Sequence, residues 1–376
     1  MNNNSKTKWP IKKLGEVALV NWGNTSITKK QYVERGYPAY SAAGQDGFLT
    51  YYEHEGPAII LSAIGARCGK CFLAEGKWTA IKNTIIILPN EKLLDIKFLF
   101  LFLNDESKWK QTGGAQPFIS EKHAKQFPIP LPPLEIQKKI VAKIEELFEK
   151  IDKAIELRQK ALQETEQIFQ SALNQVFTEA EKKWGVSVLK NCVKEDRKQT
   201  SPNDRKRLPY VGMEDIESNT GKLVVEPKPK DIKSNTFLFN SNHILYGKLR
   251  PYLNKVFVPN FEGHCTTEFI PLLADSNILC REWLARWLQQ KSIVDILTRT
   301  VTGARMPRAD MSVLFNLNIP LPPLSEQKRI VEYLDSLREK VERMKQLQQA
   351  QLDELKTLKE SILNKAFNGE LIKLEQ

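Results

Sequence analysis

Two long stretches of the chain have apolar residues three or four positions apart, with polar residues between them. One follows Leu134 and the other follows Leu324, and each runs for some 45 residues without proline or glycine. This spacing predicts two amphipathic helices, each about 65–70 Å long, with a single apolar seam. Gln348 and Gln351 interrupt the second seam, where we expect the packing phase to shift. The residues expected to pack along the seam are Ile144, Leu147, Ile151, Leu162 and Phe169 in the first helix and Leu334, Leu337, Val341, Leu355, Leu358 and Ile362 in the second. The alternative is that each helix lies alone on the surface of its own domain.

The two helical stretches are copies of one module. With a shift of 190 in the numbering, 21 of the 51 positions from 127 to 177 are identical to those from 317 to 367. Each copy begins with the sequence Pro-Leu-Pro-Pro-Leu, at 130–134 and 320–324. Proline cannot continue a helix, so this sequence fixes where each helix begins. The chain therefore contains an internal repeat.

The segments before the helices predict two globular domains of mixed α/β content. Short apolar runs followed by glycine, proline or asparagine are typical of strands, and examples are Ala58–Leu61, Thr84–Leu88 and His243–Tyr246. The predicted fold class is α+β, with two such domains alternating with two long helices. The predicted boundaries are 1–133 for the first domain, 134–181 for the first helix, 182–323 for the second domain and 324–376 for the second helix.

The net charge of +11 is concentrated in the two domains. Residues 1–127 carry +6 and residues 182–317 carry +8, whereas the first helix carries −3 and the second is neutral. This distribution favours domains that bind nucleic-acid phosphate and helices that bind protein. An anionic membrane would instead favour basic residues on an amphipathic helix. A basic composition without functional meaning is the remaining explanation.

Basic residues in the domains occur beside glycine, polar and aromatic residues in predicted loops. Arginine can bind guanine edges with two hydrogen bonds, glutamine can do the same with adenine, and lysine mostly neutralises phosphate. Each residue taken singly is more readily explained as a phosphate contact or as plain surface. The candidate DNA-binding residues are Tyr40, Ser41, Gln45, Arg67, Lys70, Gln116 and Lys122 in the first domain and Arg205, Lys206, Arg207, Tyr246, Lys248, Arg250, Tyr252, Lys255, Arg305 and Arg308 in the second.

No pattern of residues in the sequence predicts catalysis. The Gly65 to Lys70 segment has the wrong spacing for a phosphate-binding loop, and the double prolines are flanked by leucine rather than by the residues of an amino-methyltransferase motif. Four scattered histidines offer little for acid–base chemistry. We therefore expect a protein that is not an enzyme and that holds no cofactor of its own.

The cysteines and the amino terminus predict a reduced, cytoplasmic protein. Cys68 and Cys71 form a single Cys-x-x-Cys pair, and His264–Cys265 is the only other candidate for a metal site. A structural zinc site needs four ligands at suitable spacing, so we interpret these residues as buried thiols and expect no metal. The first eight residues lack the apolar core of a signal peptide, and no run approaches twenty apolar residues.

The arrangement resembles the specificity (S) subunit of Type I restriction–modification enzymes over nearly the whole chain. The motifs that carry the resemblance occur twice, in the same order and at near-equal spacing. They are the two Pro-Leu-Pro-Pro-Leu sequences, the Gln137–Val141 and Gln327–Val331 helix openings, and the loops with Thr112, Gly113 and Pro117 and with Thr302, Gly303 and Pro307. The Val211–Ile216 segment, which occurs once, resembles a common early strand of the family's recognition domains.

The resemblance implies a bipartite DNA-recognition protein. Two target-recognition domains would each bind one half of a split double-stranded DNA sequence. The helices would pair as an antiparallel coiled coil about a pseudo-twofold axis and set the gap between the half-sites. The subunit would assemble with two methyltransferase (M) subunits and with restriction (R) subunits, and AdoMet, Mg and ATP would belong to those partners. Two alternatives stay open: a coiled-coil DNA-binding adaptor without sequence preference, and a DNA methyltransferase or nuclease with an unrecognised motif.

Overall fold

The computed structural model describes residues 8–110, 117–203, 205, 207–303 and 305–372. The chain forms two compact units, and each unit contains one domain together with parts of both long helices. Unit 1 comprises Met1–Arg158 and Gln351–Gln376, and unit 2 comprises Gln159–Ala350.

The domain of unit 1 contains two four-stranded sheets and three short helices. Its strands are β1 (Ile11–Lys13), β2 (Ala18–Trp22), β3 (Tyr37–Ser41), β4 (Gly44–Leu49), β5 (His54–Glu55), β6 (Ala58–Ser62), β7 (Cys71–Ala74), β8 (Lys77–Ala80), β9 (Thr84–Pro89) and β10 (Pro128–Pro130). Its helices are α1 (Leu14–Val17), α2 (Ile96–Leu103) and α3 (Glu121–Lys125), and the long helix α4 (Leu134–Trp184) follows. The strand order is β2-β9-β6-β7 in one sheet and β4-β3-β8-β5 in the other, and β1 pairs with β10. Strand β6 is buried along its whole length, as its unbroken apolar sequence requires.

The domain of unit 2 repeats this plan. Its strands are β11 (Val186–Val188), β12 (Val193–Glu195), β13 (Gln199–Thr200), β14 (Tyr210–Val211), β15 (Thr236–Phe239), β16 (His243–Gly247), β17 (Val256–Phe257), β18 (Gly263–Thr266), β19 (Phe269–Ala274) and β20 (Asn318–Pro320). Its helices are α5 (Arg281–Leu288), α6 (Lys291–Arg299) and α7 (Met311–Phe315), and the long helix α8 (Leu324–Phe367) follows. The sheets have the orders β12-β19-β16-β17 and β13-β15-β18-β14, and β11 pairs with β20. The predicted α+β class is confirmed.

A buried glutamine ties the start of each long helix to its domain. Gln137 accepts a hydrogen bond from Asp95 N (2.9 Å) and donates to Leu93 O and Pro132 O (2.8 Å each). Gln327 makes the same three bonds, to Cys280 N (2.8 Å) and to Ile278 O and Pro322 O (2.8 Å each). Both glutamine side chains are fully buried, so these bonds satisfy their polar atoms where water cannot.

The long helices pack against each other within each unit, as predicted. In unit 2, Arg338 lies over the ring of Phe169, Lys345 pairs with Glu166 (2.8 Å), and Gln348 donates to Thr165 (3.1 Å). Because residue numbers rise in α8 as they fall in α4, the two segments run antiparallel. In unit 1 the same kind of contact occurs with the helices exchanged. Phe148 of α4 corresponds to Arg338 in the repeat and Lys359 of α8 corresponds to Phe169, and the Lys359 ammonium lies over the ring of Phe148.

The predicted seam residues differ in burial. Ile144, Ile151 and Ile362 belong to the core of unit 1, and Phe169, Leu334 and Val341 belong to the core of unit 2. Leu147, Leu162, Leu337 and Leu355 are half-buried. Leu358 departs from the prediction because it is 46% exposed. The side chain of Lys359 occupies the neighbouring position toward α4, where it contacts Phe148 and Asp152.

The helix bounds are close to those expected from the sequence. Helix α4 extends to residue 184 rather than 181, and α8 ends at residue 367. Among the helices in the described ranges, none has a segment long and apolar enough to cross a membrane.

Candidate nucleic-acid interface

Each domain has a basic loop between two strands that occupy equivalent positions in the two domains. Loop A (residues 63–70) connects β6 to β7, and loop B (residues 248–255) connects β16 to β17. Four backbone hydrogen bonds of loop A recur in loop B with a shift of 185 or 190. In loop A the bonds run from Ser62 N to Lys70 O (2.8 Å), Ala63 N to Asn83 O (3.0 Å), Gly65 N to Pro117 O (3.1 Å) and Ile119 N to Ala63 O (2.9 Å). In loop B the corresponding bonds, in the same order, run from Gly247 N to Lys255 O (2.9 Å), Lys248 N to Glu268 O (2.9 Å), Arg250 N to Pro307 O (2.7 Å) and Ala309 N to Lys248 O (2.8 Å).

The two loops also share an unusual backbone conformation. Gly65 and Gly69 in loop A have φ angles of 103° and 98°, and Arg250 and Asn254 at the equivalent positions of loop B have φ angles of 52° and 48°. Glycine adopts this left-handed region freely, whereas an arginine adopts it at a cost. The loops therefore have one backbone framework and different side chains.

An open cleft beside loop A has a volume of about 750 Å³. Four basic residues line it, together with small side chains and the polar Ser41. They are Lys29, Lys30, Arg67 and Lys82. The Arg67 guanidinium donates to Ala43 O (3.0 Å), which holds it at the edge of the cleft. This is a cationic surface that phosphate groups can approach.

Asp46 organises one wall of this cleft. It accepts hydrogen bonds from Tyr32 Oη (2.9 Å), Ser41 Oγ (2.7 Å) and Lys29 Nζ. Although burial opposes the effect, the hydrogen bonds from Lys29, Ser41 and Tyr32 lower the pKa of the Asp46 carboxyl. Lys29, Lys30 and Lys82 are all exposed, and Lys29 is paired with Asp46.

The other candidates of the first domain lie in varied surroundings. Tyr40 is buried and its hydroxyl donates to Leu73 O (3.2 Å), so it supports the sheet under the cleft. Gln45 and Lys122 are exposed, and Lys70 is half-buried. Gln116 lies outside the described residues.

The candidates of the second domain fall into exposed and internally bonded groups. Arg207, Arg250, Tyr252 and Arg305 are exposed. Lys255 is half-buried and donates to Met213 O (2.7 Å), and Arg308 forms a two-armed pair with Glu268 (2.6 Å at its shortest). Lys248 is half-buried, and burial lowers the pKa of its ammonium group. Tyr246 is buried in β16, and burial raises the pKa of its hydroxyl.

Arg205 requires a correction. Its side chain is only 2% exposed, and it donates to Thr200 O (3.0 Å), Thr236 Oγ1 (2.6 Å), Ser234 O (2.6 Å) and Ile232 O. A guanidinium whose donors are used inside the domain cannot reach DNA, so Arg205 stabilises the chain segment around it. Lys206 lies outside the described residues.

Most of the cysteine side chains lie in the interior, as hydrophobic side chains do. Cys68, Cys71, Cys192 and Cys265 are buried, and burial raises the pKa of each thiol. Within the described ranges, no group of three or more His, Cys, Asp or Glu side chains is placed to hold a metal ion.

Sequence reasoning missed Lys29, Lys30 and Lys82 of the cleft. The adjacent lysines at 29 and 30 were a visible signal. Lys82 joins them because β3 pairs in parallel with β8, a contact between residues about forty positions apart, such as Ala39 and Thr79. A single sequence does not report such a pairing.

The fold and the two loops define a class of protein. It is a duplicated chain in which two α/β domains alternate with two paired helices, and each domain presents a cationic loop on the same backbone framework. The family model described as the Type I restriction modification DNA specificity domain matches the chain twice, at residues 6–167 and 181–352. The chain belongs to that family, and the resemblance inferred from its sequence is confirmed.

Curated relatives carry the same description, and solved structures share the fold. The chain is 24% identical to the Type I restriction enzyme EcoDI specificity subunit of Escherichia coli, covering 96% of this chain and 88% of that one. It is 26% identical to the MjaVIII specificity subunit of Methanocaldococcus jannaschii, covering 83% and 79%. A chain from a structure of the assembly and conformational transition of the type I R-M system shares the fold with a TM-score of 0.75 at 23% identity, covering 96% and 98%. The HsdS subunit from Thermoanaerobacter tengcongensis shares it with a TM-score of 0.59 at 24% identity, covering 96% and 97%.

Proposed function

We propose that this chain is the subunit that gives a Type I restriction–modification enzyme its DNA sequence specificity. Each domain binds one half of a bipartite target in double-stranded DNA. The observation that carries this proposal is the pair of loops A and B. They share one backbone framework and a positive charge, as expected of two loops that bind the same ligand, DNA. Their side chains differ, as expected of two loops that recognise different sequences.

The long helices serve as a spacer and as the docking site for partner subunits. Their pairing within each unit supports the first role. The second is supported by large apolar side chains that remain exposed along them. These side chains are Leu157 (60% exposed), Ile168 (42%), Tyr333 (55%), Met344 (43%), Leu347 (60%) and Leu358 (46%). The expected partners are two methyltransferase subunits and the restriction subunits.

The chain itself performs no reaction in this proposal. AdoMet, Mg and ATP are bound by the partner subunits, and the complex acts on DNA in the cytoplasm. The arginines and lysines of the two domains position DNA, and the methyltransferase subunits modify it.

The test is methylation of random-sequence DNA by the chain together with its methyltransferase subunits, followed by sequencing of the methylated positions. We expect one motif made of two fixed parts with an unspecified gap of constant length, and no methylation by the chain alone. Methylation without a motif would favour an adaptor lacking sequence preference. AdoMet turnover by the isolated chain would favour an enzyme.

A further inference from the structure

We propose that Arg250, in loop B, reads a guanine in the half-site bound by the second domain. This inference rests on the proposed function, because it names a base and the residue that recognises it. Three properties of Arg250 carry it: its backbone conformation, its free guanidinium group and its counterpart in the first domain.

The backbone of Arg250 is held where an arginine is disfavoured. Its φ and ψ angles of 52° and 64° are left-handed, and Pro251 follows, which further restricts the residue before it. The conformation persists because Arg250 N donates to Pro307 O (2.7 Å) and Arg250 O accepts from Leu253 N (2.9 Å). Strained non-glycine residues that are fixed in this way concentrate at binding sites.

The guanidinium of Arg250 is exposed, and no hydrogen bond or ion pair holds it in the described part of the chain. The other two basic residues of loop B, Lys248 and Lys255, are half-buried. Lys255 donates to Met213 O, and Arg308 is paired with Glu268. Within loop B, Arg250 is therefore the cation best able to bind an external ligand.

The equivalent position in loop A is a glycine, which shows that the backbone of the loop forms without a side chain there. Gly65 makes the same bond to Pro117 that Arg250 makes to Pro307, and among the residues that the structure describes no atom lies within 4 Å of a Cβ built on Gly65. A side chain at this position thus projects into open space. Glycine satisfies the loop in the first domain, so the arginine in the second domain is needed for what it contacts outside the protein.

Guanine is the ligand that fits this side chain best. The guanidinium fork donates two parallel hydrogen bonds, which match the O6 and N7 acceptors of guanine in the major groove. Phosphate is the competing ligand, and the two contacts differ in their effect: loss of a phosphate contact weakens binding to all sequences alike, whereas loss of a guanine contact removes discrimination at one base pair.

The experiment measures binding of the complete subunit, with its methyltransferase partners, to DNA carrying the motif found for the wild type. The variants are Arg250→Lys, which keeps the charge, and Arg250→Gly, which copies loop A. The DNA variants carry each of the other three bases, or 7-deazaguanine, at each guanine of the motif. Thermal unfolding of each variant is measured alongside.

We expect both variants to lose discrimination at one guanine of one half-site. The loss is between about 5- and 150-fold, the equivalent of one bidentate base contact. Replacing that guanine with 7-deazaguanine should weaken the wild type and have no added effect on Arg250→Gly. The other half-site and the gap should not change. Arg250→Gly should not lower the unfolding midpoint, because glycine relieves the left-handed backbone.

Three results would overturn the inference while leaving the proposed function intact. They are an unchanged motif in both variants, a second half-site without guanine, and a uniform loss of affinity for all sequences with full retention by Arg250→Lys. If the wild type selects no motif, the proposed function fails and this inference fails with it. A lower unfolding midpoint for Arg250→Gly would contradict the argument from strain.

Discussion

The second domain places three arginines in three different surroundings. Arg205 is buried and bonded to neighbouring carbonyl groups, Arg308 is paired with Glu268, and Arg250 is exposed without an internal partner in the part of the chain described. The side chain is the same in each case, so its role depends on the acceptors that the fold places around it. The sequence alone suggested DNA contact for all three, because basic clusters usually lie on the surface.

Replacing Arg205 should destabilise unit 2 without changing a DNA contact. Arg205→Ala removes the donors to Thr200, Thr236 and Ser234, of which the Thr236 acceptor is buried and the two carbonyl oxygens are partly buried. We expect a loss of about 2–4 kcal/mol in the free energy of unfolding, measured by urea denaturation. Arg207→Ala is the matched control, because Arg207 is exposed, and should change stability by less than about 0.5 kcal/mol. Equal effects of the two substitutions would contradict the structural role of Arg205.

His264 should make the stability of unit 2 depend on pH. Burial and the nearby Arg205 lower the pKa of His264 from 6.5 to about 4. The unfolded chain takes up the proton below pH 6.5, whereas the folded chain resists it until about pH 4. Stability should therefore fall as the pH decreases through this window, by a few kcal/mol at most.

The measurement is urea denaturation at pH values between 7 and 4, for the wild type and for His264→Gln. The variant cannot gain the proton, so its stability should fall less steeply across the window. Identical pH slopes would show that His264 is not the group responsible.

The two long helices are tied to their domains by the same device. Gln137 and Gln327 each make three hydrogen bonds to backbone groups, two with the segment that leads into α2 or α5 and one with the proline turn before the long helix. The repeat was visible in the sequence, but the role of these glutamines was not, because two of the three partners of each lie more than forty residues away.

Removing either glutamine should loosen the adjacent short helix. Gln137→Ala should raise amide hydrogen exchange in α2, and Gln327→Ala should raise it in α5, each with a loss of about 1–3 kcal/mol in stability. Gln159→Ala, at an exposed position of α4, is the control and should leave exchange in both helices unchanged. A change that spreads equally over both units would contradict a local role.

At this scale the sequence predicted the elements better than their contacts. The proline sequences and the spacing of apolar residues placed the start of both long helices correctly, because a helix is specified by neighbours along the chain. The basic loops were found, but the register that matches Gly65 with Arg250 was not, since it depends on hydrogen bonds to Pro117 and Pro307. Lys82 joins the cleft through a parallel strand pairing and was missed for the same reason.

The whole molecule is proposed to hold two reading domains at a fixed separation through its helices. Deleting residues 155–161 of α4 and 350–356 of α8 removes one heptad from each, between the Asp152–Lys359 and Glu166–Lys345 pairs. This should shorten the gap in the methylated motif by about three base pairs, because a heptad spans about 10 Å and a base pair about 3.4 Å. Both half-sites should stay the same. A gap of unchanged length would refute the spacer role.

The most direct test of the account exchanges one domain. Residues 9–128 are replaced with the corresponding domain of a family member that recognises a different sequence, and the motif methylated by the resulting complex is determined by sequencing. The account predicts that one half of the motif changes to that of the donor, while the other half and the gap remain those of the wild type. A motif that changes in both halves, or in neither, would contradict the claim that each domain reads its own half of the target.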